Sequence, residues 1–309
     1  MSLSINTNTS SMVALETLNA TQSQLSATEN AVSTGKKVAN ASDNPASFGI
    51  AAQMNGNISG QSAVNDGLSY ASSVVSTTNT AANQILSVLA EIQNAVTSVG
   101  NNSGSSTSLT QINDEVNGFL TQIDTIANGA TSNGVNLLAG ETSKSLGITA
   151  SSLQYVTGLQ GSLATVTNFS GMKSNSAGGT ISANASLSVM LGLASASGTN
   201  SVINTIAQNG AGKLQQSDLQ TAISTIQTAI TTMTNFTSQL GNNTKQIANL
   251  TTFGQSVSDN LTTGVGALTD ADMSAESAKL TSLQTKQSLA IKSLSIANGQ
   301  SQNILSLFQ

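Results

Sequence analysis

The stretch LTSLQTKQSLAIKSLSIANGQSQNILSLFQ, residues 280–309, carries apolar residues at three- and four-residue spacing. That spacing places them on one helix face, as in the seam of a coiled coil. This C-terminal seam consists of Leu280, Leu283, Ala290, Leu294, Ala297, Ile304 and Phe308. A matching N-terminal seam consists of Leu15, Leu18, Leu25 and Val32. Because soluble proteins seldom expose such seams unless they bind each other or other copies, the sequence predicts an assembly subunit.

The composition favours a mainly α fold. Of the 309 residues, 38% are hydrophobic, which is enough to bury a core, but only 3% are aromatic and none is Trp. A core of Ala, Leu, Ile and Val suits helices that pack against helices. We therefore expect a long antiparallel helical rod with coiled-coil-like terminal helices and a small β-hairpin region in the middle.

The charge balance and the missing residue types exclude several functions. Only 7% of residues are charged, the net charge is −5, and no basic stripe is present to follow a phosphate backbone, so nucleic acid is not an expected partner. The absence of His and Cys excludes catalytic triads, Cys nucleophiles and zinc sites. We expect no enzyme activity, no cofactor and no metal. No window approaches the roughly 18 apolar residues of a membrane span, and no Sec-type signal peptide is recognisable.

Local signals place the helices. A helix over residues 11–34 is predicted to end near Gly35, and Asn44 is predicted to cap a second helix that begins at Pro45. A continuous helix over 45–99 would be roughly 80 Å long. A shorter helix that includes 109–126 is closed by Gly129, and a third carries its seam from Leu219 to Leu261.

The middle of the chain has a different character, and it fixes the expected domain limits. Short alternations at 163–167 and 180–183 predict β-hairpins. The expected parts are an N-terminal core helix (1–44), an N-terminal rod part with two helices (45–140), a variable β-hairpin region (141–200), a C-terminal rod helix (201–263) and a C-terminal core helix (264–309).

Three ordered motifs resemble bacterial flagellin. Leu25-Ser26 precedes a turn at Ser33-Thr34-Gly35-Lys36, the loop NGVNLLAG spans 133–140, and QSLAIKSLSIANGQSQNILSLFQ ends the chain. The resemblance covers roughly residues 1–140 and 200–309. It implies a structural subunit that polymerises into the flagellar filament for swimming motility.

The resemblance also implies a set of assembly residues and partners. The implied self-assembly residues are Leu15, Leu18, Leu25, Val32, Leu280, Leu283, Leu294, Ala297, Ile304, Leu305 and Phe308. The implied partners are other copies of the chain, the flagellar cap, the hook–filament junction proteins and an export chaperone at the C-terminal helix. The implied location is extracellular, after export by the flagellar type III system without a cleaved Sec signal.

One segment departs from the family pattern. Many flagellins carry an arginine-rich stretch here that binds the animal innate-immune flagellin receptor. In this chain the corresponding residues include Leu89, Glu91, Gln93 and Asn94, with no arginine. The resemblance therefore implies weak receptor recognition.

Two alternative functions and one alternative pairing stay open at this point. The chain could be a hook–filament junction protein, which shares the helical ends, or a carbohydrate-binding or adhesive surface protein, although the scarcity of aromatic residues argues against sugar stacking. The terminal seams could pair within one chain, contact other copies, or do both.

Overall fold

The protein is mainly α-helical, as the sequence predicts. The computed structural model describes residues 8–102, 106–139, 143, 146–172, 186–195, 200–202 and 216–305. Its main elements are α1 (Thr9–Thr34), α2 (Pro45–Val99), α3 (Ser106–Gly129), β1 (Leu153–Val156), β2 (Leu163–Val166), α4 (Leu187–Met190), α5 (Gln216–Thr269) and α6 (Met273–Leu305). The predicted helices are present, and their ends shift by a few residues.

The chain divides into two compact units. The first comprises residues 1–59 and 258–309, so it joins the beginning of the chain to its end. The second comprises residues 60–257. Helices α2 and α5 contribute residues to both units. The five domain limits expected from the sequence stay predictions.

The second unit has one apolar core, shared by α2, α3 and α5. Each helix presents buried side chains at three- and four-residue spacing, the pattern of an amphipathic helix. The largest fully buried ones are Leu68, Ile85, Leu89 and Ile92 on α2, Ile123 on α3 and Phe236 on α5. Phe236 meets Phe169 edge to face, with ring centroids 5.3 Å apart. Aliphatic packing with one aromatic pair thus forms the core.

A two-stranded antiparallel sheet lies in the same unit. Strands β1 and β2 pair with Leu153 opposite Val166 and Val156 opposite Leu163. The hairpin expected at 163–167 is confirmed, whereas the one expected at 180–183 lies outside the described residues. The side chain of Leu159, in the turn between the strands, lies close to Gly60 of α2. A Cβ added to Gly60 would be 2.9 Å from Cδ2 of Leu159.

The NGVNLLAG loop closes the end of α3 through a buried asparagine. The Asn136 side chain donates to the carbonyl of Ala127 at 2.8 Å and accepts from the amides of Leu138 and Ala139 at 2.9 Å each. These bonds satisfy a helix carbonyl and two loop amides at once. They hold the loop so that Leu137 and Leu138 are fully buried in the core.

Helices α2 and α5 approach closely at Gly254. A Cβ on this residue would collide with Nε2 of Gln61 and Oδ1 of Asn65. Gln61 is buried, and its amide donates to Asn65 Oδ1 at 3.2 Å. Since no side chain fits above this amide pair, glycine permits the contact.

Helix α5 is longer than the sequence predicts. The predicted rod helix ends at 263, whereas α5 continues through Gly264 and Gly266 to Thr269. A glycine within a helix costs only about 1 kcal/mol, which tertiary packing outweighs. At Gly264 a Cβ would lie 3.4 Å from the sulfur of Met54, so this glycine faces α2 within the first unit.

We expect Gly254→Ala to lower the free energy of unfolding of the second unit by about 1–2 kcal/mol, because the added methyl displaces the Gln61–Asn65 pair. Gly241→Ala is the matched control in the same helix, since no atom lies within 4 Å of its added Cβ. That control should be neutral or raise stability by up to about 1 kcal/mol. Denaturant unfolding followed by circular dichroism compares the two; equal stability of both variants would contradict the close contact.

Burial of Tyr155 in β1 raises the pKa of its phenol above the ordinary value. The neutral phenol is therefore favoured by folding, so its stabilising contribution is complete below a pH of about 10 and is lost as the pH rises through the raised pKa. The chain has two tyrosines, and Tyr70→Phe leaves Tyr155 as the only one. Tyrosinate absorbance of that variant should rise at higher pH in the folded chain than in the denatured chain; coincident curves would contradict the prediction.

Candidate assembly surface

The two ends of the chain are joined by backbone hydrogen bonds where their helices meet. Helix α1 ends at Thr34, and Gly35, which follows it, takes the left-handed conformation with φ 71°. Its carbonyl accepts from the amide of Ala271 at 2.9 Å. The amides of Lys37 and Val38 donate to the carbonyl of Thr269 at 2.7 and 3.2 Å. This terminal link fixes the start of α6 beside the end of α1.

Side-chain caps begin the helices on either side of the terminal link. Asn44 accepts from the amide of Ser47 at 3.1 Å, which confirms it as the cap of α2. Asp272 accepts from the amides of Ser274 and Ala275 and so caps α6. Carboxylates at helix starts also interact favourably with the helix dipole.

A lysine stabilises the opposite kind of helix end. The Nζ atom of Lys37 donates to the carbonyl of Ala267 at 2.9 Å, in the last turn of α5. The last carbonyls of a helix lack intrahelical partners and carry partial negative charge, so a cation is favourable there. Although Lys37 follows α1 in the chain, its ammonium group therefore stabilises the end of α5.

Helices α1 and α6 pack against each other along their length, running antiparallel. At the far end from the terminal link, the Asn8 side chain donates to the carbonyl of Ala297 at 2.8 Å and Ser11 Oγ donates to Asn298 Oδ1 at 2.7 Å. Within the pair, Leu25 and Leu283 are buried. The half-buried members of the two predicted seams are Leu18, Val32, Leu280, Ala290, Leu294 and Ala297. The structure therefore brings most of the predicted assembly residues together within one chain.

The remaining predicted assembly residues are placed differently. Leu15 is 48% exposed and does not join the packed seam. Ile304 and Leu305 belong to the last turns of α6, but their side chains lie outside the described part, and Phe308 lies outside the described residues. Their roles in assembly stay predictions.

Two threonines complete the buried seam of α1, and the sequence analysis missed them. Thr21 and Thr28 alternate with Leu18, Leu25 and Val32 at three- and four-residue spacing and are only 8% and 1% exposed. Threonine is not apolar, so neither residue belongs to the predicted seam, although their spacing was the available signal. Thr28 Oγ1 is buried without a hydrogen-bond partner in the described part of the chain.

Large apolar residues lie uncovered on the other sides of the same two helices. They are Met12 and Val13 on α1, and Leu289, Ile291 and Ile296 on α6, all more than half exposed. None of them was among the residues predicted to mediate assembly. No helix in the described ranges is long and apolar enough to cross a membrane.

The segment that differs from the family pattern lies on α2 in the second unit. Leu89 is fully buried in the core, Gln93 is half-buried, and Glu91 and Asn94 are exposed. A side chain buried in the core has no free surface to offer a receptor. The structure thus leaves Glu91 and Asn94 as the accessible residues of this segment.

This arrangement defines a helical structural subunit. Its two ends pair, and apolar side chains lie exposed on the outside of that pair, where neighbouring copies could cover them.

Comparison with known proteins gives the family. The chain matches the models of the bacterial flagellin N-terminal helical region over residues 5–143 and the bacterial flagellin C-terminal helical region over residues 223–308. It is 33% identical over 306 residues to flagellin FljK of Caulobacter vibrioides, with 99% of this chain and 98% of that protein covered. It is 31% identical over 309 residues to a flagellin of Brucella melitensis, with 99% of each chain covered.

A third relative matches a short part only: flagellin A of Rhizobium meliloti is 58% identical over 57 residues, or 18% of this chain and 14% of that protein. The chain belongs to the bacterial flagellin family. It is a short flagellin, and the family is that of the structural subunits of the flagellar filament.

We expect Leu283→Ala to weaken the α1–α6 pair by about 2–5 kcal/mol, because it removes a side chain that is 3% exposed. The matched control is Lys279→Ala on the same helix, which removes only an exposed contact to Glu276 at 3.4 Å and should cost less than about 1 kcal/mol. Scanning calorimetry of assembled filaments should show an earlier transition for Leu283→Ala alone. Equal transitions for both variants would show that the seam contributes little.

Proposed function

We propose that the chain polymerises into the flagellar filament through its paired terminal helices, so that α1 and α6 of each copy enter the assembly as one unit. The observation that carries this proposal is the packing of α1 on α6 together with the uncovered apolar residues of the pair. Membership of the flagellin family supports it independently.

The contacts between copies follow from the same geometry. A surface patch that binds a different patch on the next copy produces an open helical polymer when the rotation between copies does not close. Uncovered apolar side chains gain free energy when such a contact removes them from water. Assembly of this chain is thus driven by its terminal helices, and the second unit enters the filament because it belongs to the same chain.

Several finer features belong to this proposal. The filament lies outside the cell, and the chain reaches it through the flagellar type III system. At the growing filament it meets the cap and, at the base, the hook–filament junction proteins. Before export a chaperone covers α6, whose exposed Leu289, Ile291 and Ile296 would otherwise be free to associate.

Recognition by the innate-immune flagellin receptor is weak in this proposal. Two observations support this. Leu89 is buried and so cannot contact a receptor, and the exposed Glu91 offers a negative charge to a receptor that binds arginines. The chain acts as a structural subunit without catalysis. A role as junction protein is not favoured, because relatives matched over almost the whole chain are flagellins.

Removal of residues 280–309 should abolish filament formation, because α1 then lacks the helix on which Leu25 packs. Residues 60–257 form a separate compact unit, so the truncated chain should keep the helical circular dichroism of α2, α3 and α5. Sedimentation and negative-stain electron microscopy measure assembly. Leu163→Ala, at a position 63% exposed on β2, is the control and should assemble like the parent. Filaments from the truncated chain would overturn the proposal.

A further inference from the structure

We propose that two patches on opposite sides of the α1–α6 pair bind each other between neighbouring copies. The acidic patch consists of Met12, Val13 and Glu16 on α1. The basic patch consists of Leu289, Lys292 and Ile296 on α6. This inference rests on the proposed function and deepens it, since it names the surfaces by which one copy holds the next.

The helical geometry separates both patches from the seam inside the pair. At about 100° per residue, Glu16 lies roughly 140° around α1 from the buried Thr21. By the same reasoning Ile296 lies roughly 140° around α6 from the buried Leu283. Leu289, Lys292 and Ile296 follow the i, i+3, i+7 spacing of one helix face. The basic patch, Met12 and Glu16 therefore point away from the partner helix of their own chain, and Val13 lies at the flank, roughly 80° around α1 from Thr21.

The apolar members of the patches are the most exposed of the large hydrophobic side chains described on the two helices. Met12 and Val13 are 65% and 62% exposed, and Leu289 and Ile296 are 68% and 73% exposed. The seam that lies between α1 and α6 does not cover them. In a family whose members polymerise, a second copy is the occupant that such a surface requires.

The charges select which patch meets which. Helix α1 carries two acidic residues, Glu16 and Glu29, and no basic one, whereas α6 carries Lys279, Lys286 and Lys292 against Glu276 alone. Glu16 and Lys292 are exposed and have no ion-pair partner within the described ranges. An acidic patch against a basic patch is attractive, while either patch against itself would oppose like charges.

The pairing of an acidic patch with a basic patch also fixes the kind of interface. Contact of the basic patch with the acidic patch is heterologous, because each copy uses a different surface on its two sides. In the antiparallel pair Asn8 lies beside Ala297, so Glu16 and Leu289 lie at the same level. The two patches are thus level with each other on opposite sides, and every added copy presents the patch that the next one needs.

The absence of cysteine from the chain allows a direct test. One batch carries Glu16→Cys and another carries Lys292→Cys. The two are mixed, polymerised under reducing conditions and then oxidised as filaments. A disulfide requires Cα atoms within about 7 Å, so it reports contact between the patches. We expect a covalent dimer that contains one copy of each variant.

The controls define the opposite result. Glu16→Cys mixed with Thr281→Cys, which is exposed on α6 but roughly 16 Å along the helix from residue 292, should give no dimer above that of unpolymerised chains. Dimers that join two copies of the same variant, or no dimer in filaments that form normally, would overturn the inference.

A second measurement does not depend on disulfide geometry. Ile296→Gln should raise the critical concentration for assembly at least about tenfold, since a buried apolar contact becomes polar. Ser295→Gln, exposed on the adjacent position, should leave it unchanged. Exchange of charges between the patches, with Glu16→Lys and Lys292→Glu in one chain, should restore assembly that either change alone weakens.

The outcomes also separate this inference from the proposed function. If the chain lacking residues 280–309 still polymerises, the terminal helices do not drive assembly and the proposed function fails. If that truncation blocks assembly but Ile296→Gln and the charge reversals have no effect, the terminal helices drive assembly through other faces and only the patch pairing is wrong.

Discussion

The short antiparallel link between residues 35–38 and 269–271 is the constraint on which the first unit depends. It brings helix ends from opposite parts of the sequence together, and backbone hydrogen bonds fix their register without relying on particular side chains. Gly35 permits this link, because its left-handed conformation ends α1 and directs the chain into the paired segment. With this end fixed and Asn8 bonded to Ala297 at the other, the seam residues of α1 and α6 have one alignment available to them.

The long helices combine a polar surface with very little charge, and their hydroxyl groups explain how. Thr221, Thr225, Thr228 and Thr232 on α5 each donate to the carbonyl four residues earlier, at 2.7 to 2.9 Å. A hydroxyl that is satisfied within its own helix loses little when a neighbouring surface displaces water from it. Such a surface can approach another closely at a small desolvation penalty. The few charged side chains then contribute a larger part of the free-energy difference between alternative surface pairings.

Much of the fold could be predicted because its signals are local. Asn44 and Pro45 mark the start of α2 by capping chemistry alone, and the periodicity of the long helices follows from their own residues. The extension of α5 through Gly264 could not be predicted, since the packing against Met54 that favours it comes from residues far away in the sequence. The same is true of Asp124, whose carboxylate accepts from the amide and hydroxyl of Ser188 at 2.8 Å.

The candidate site shows a different limit of sequence reasoning. Heptad spacing identifies the apolar face of a helix, but it does not say whether that face is covered by the same chain or by another copy. Leu25 and Leu283 belong to the two predicted seams, and both are buried inside one chain. A side chain that is buried in this way is unavailable to a neighbour. Ile296 lies outside the predicted seam and stays exposed, and the proposed pairing between copies assigns it a surface on a neighbouring copy, which the sequence of one helix does not record. In this subunit the predicted seam therefore holds the two terminal helices of one chain together, and the proposed contacts between copies use exposed residues outside that seam.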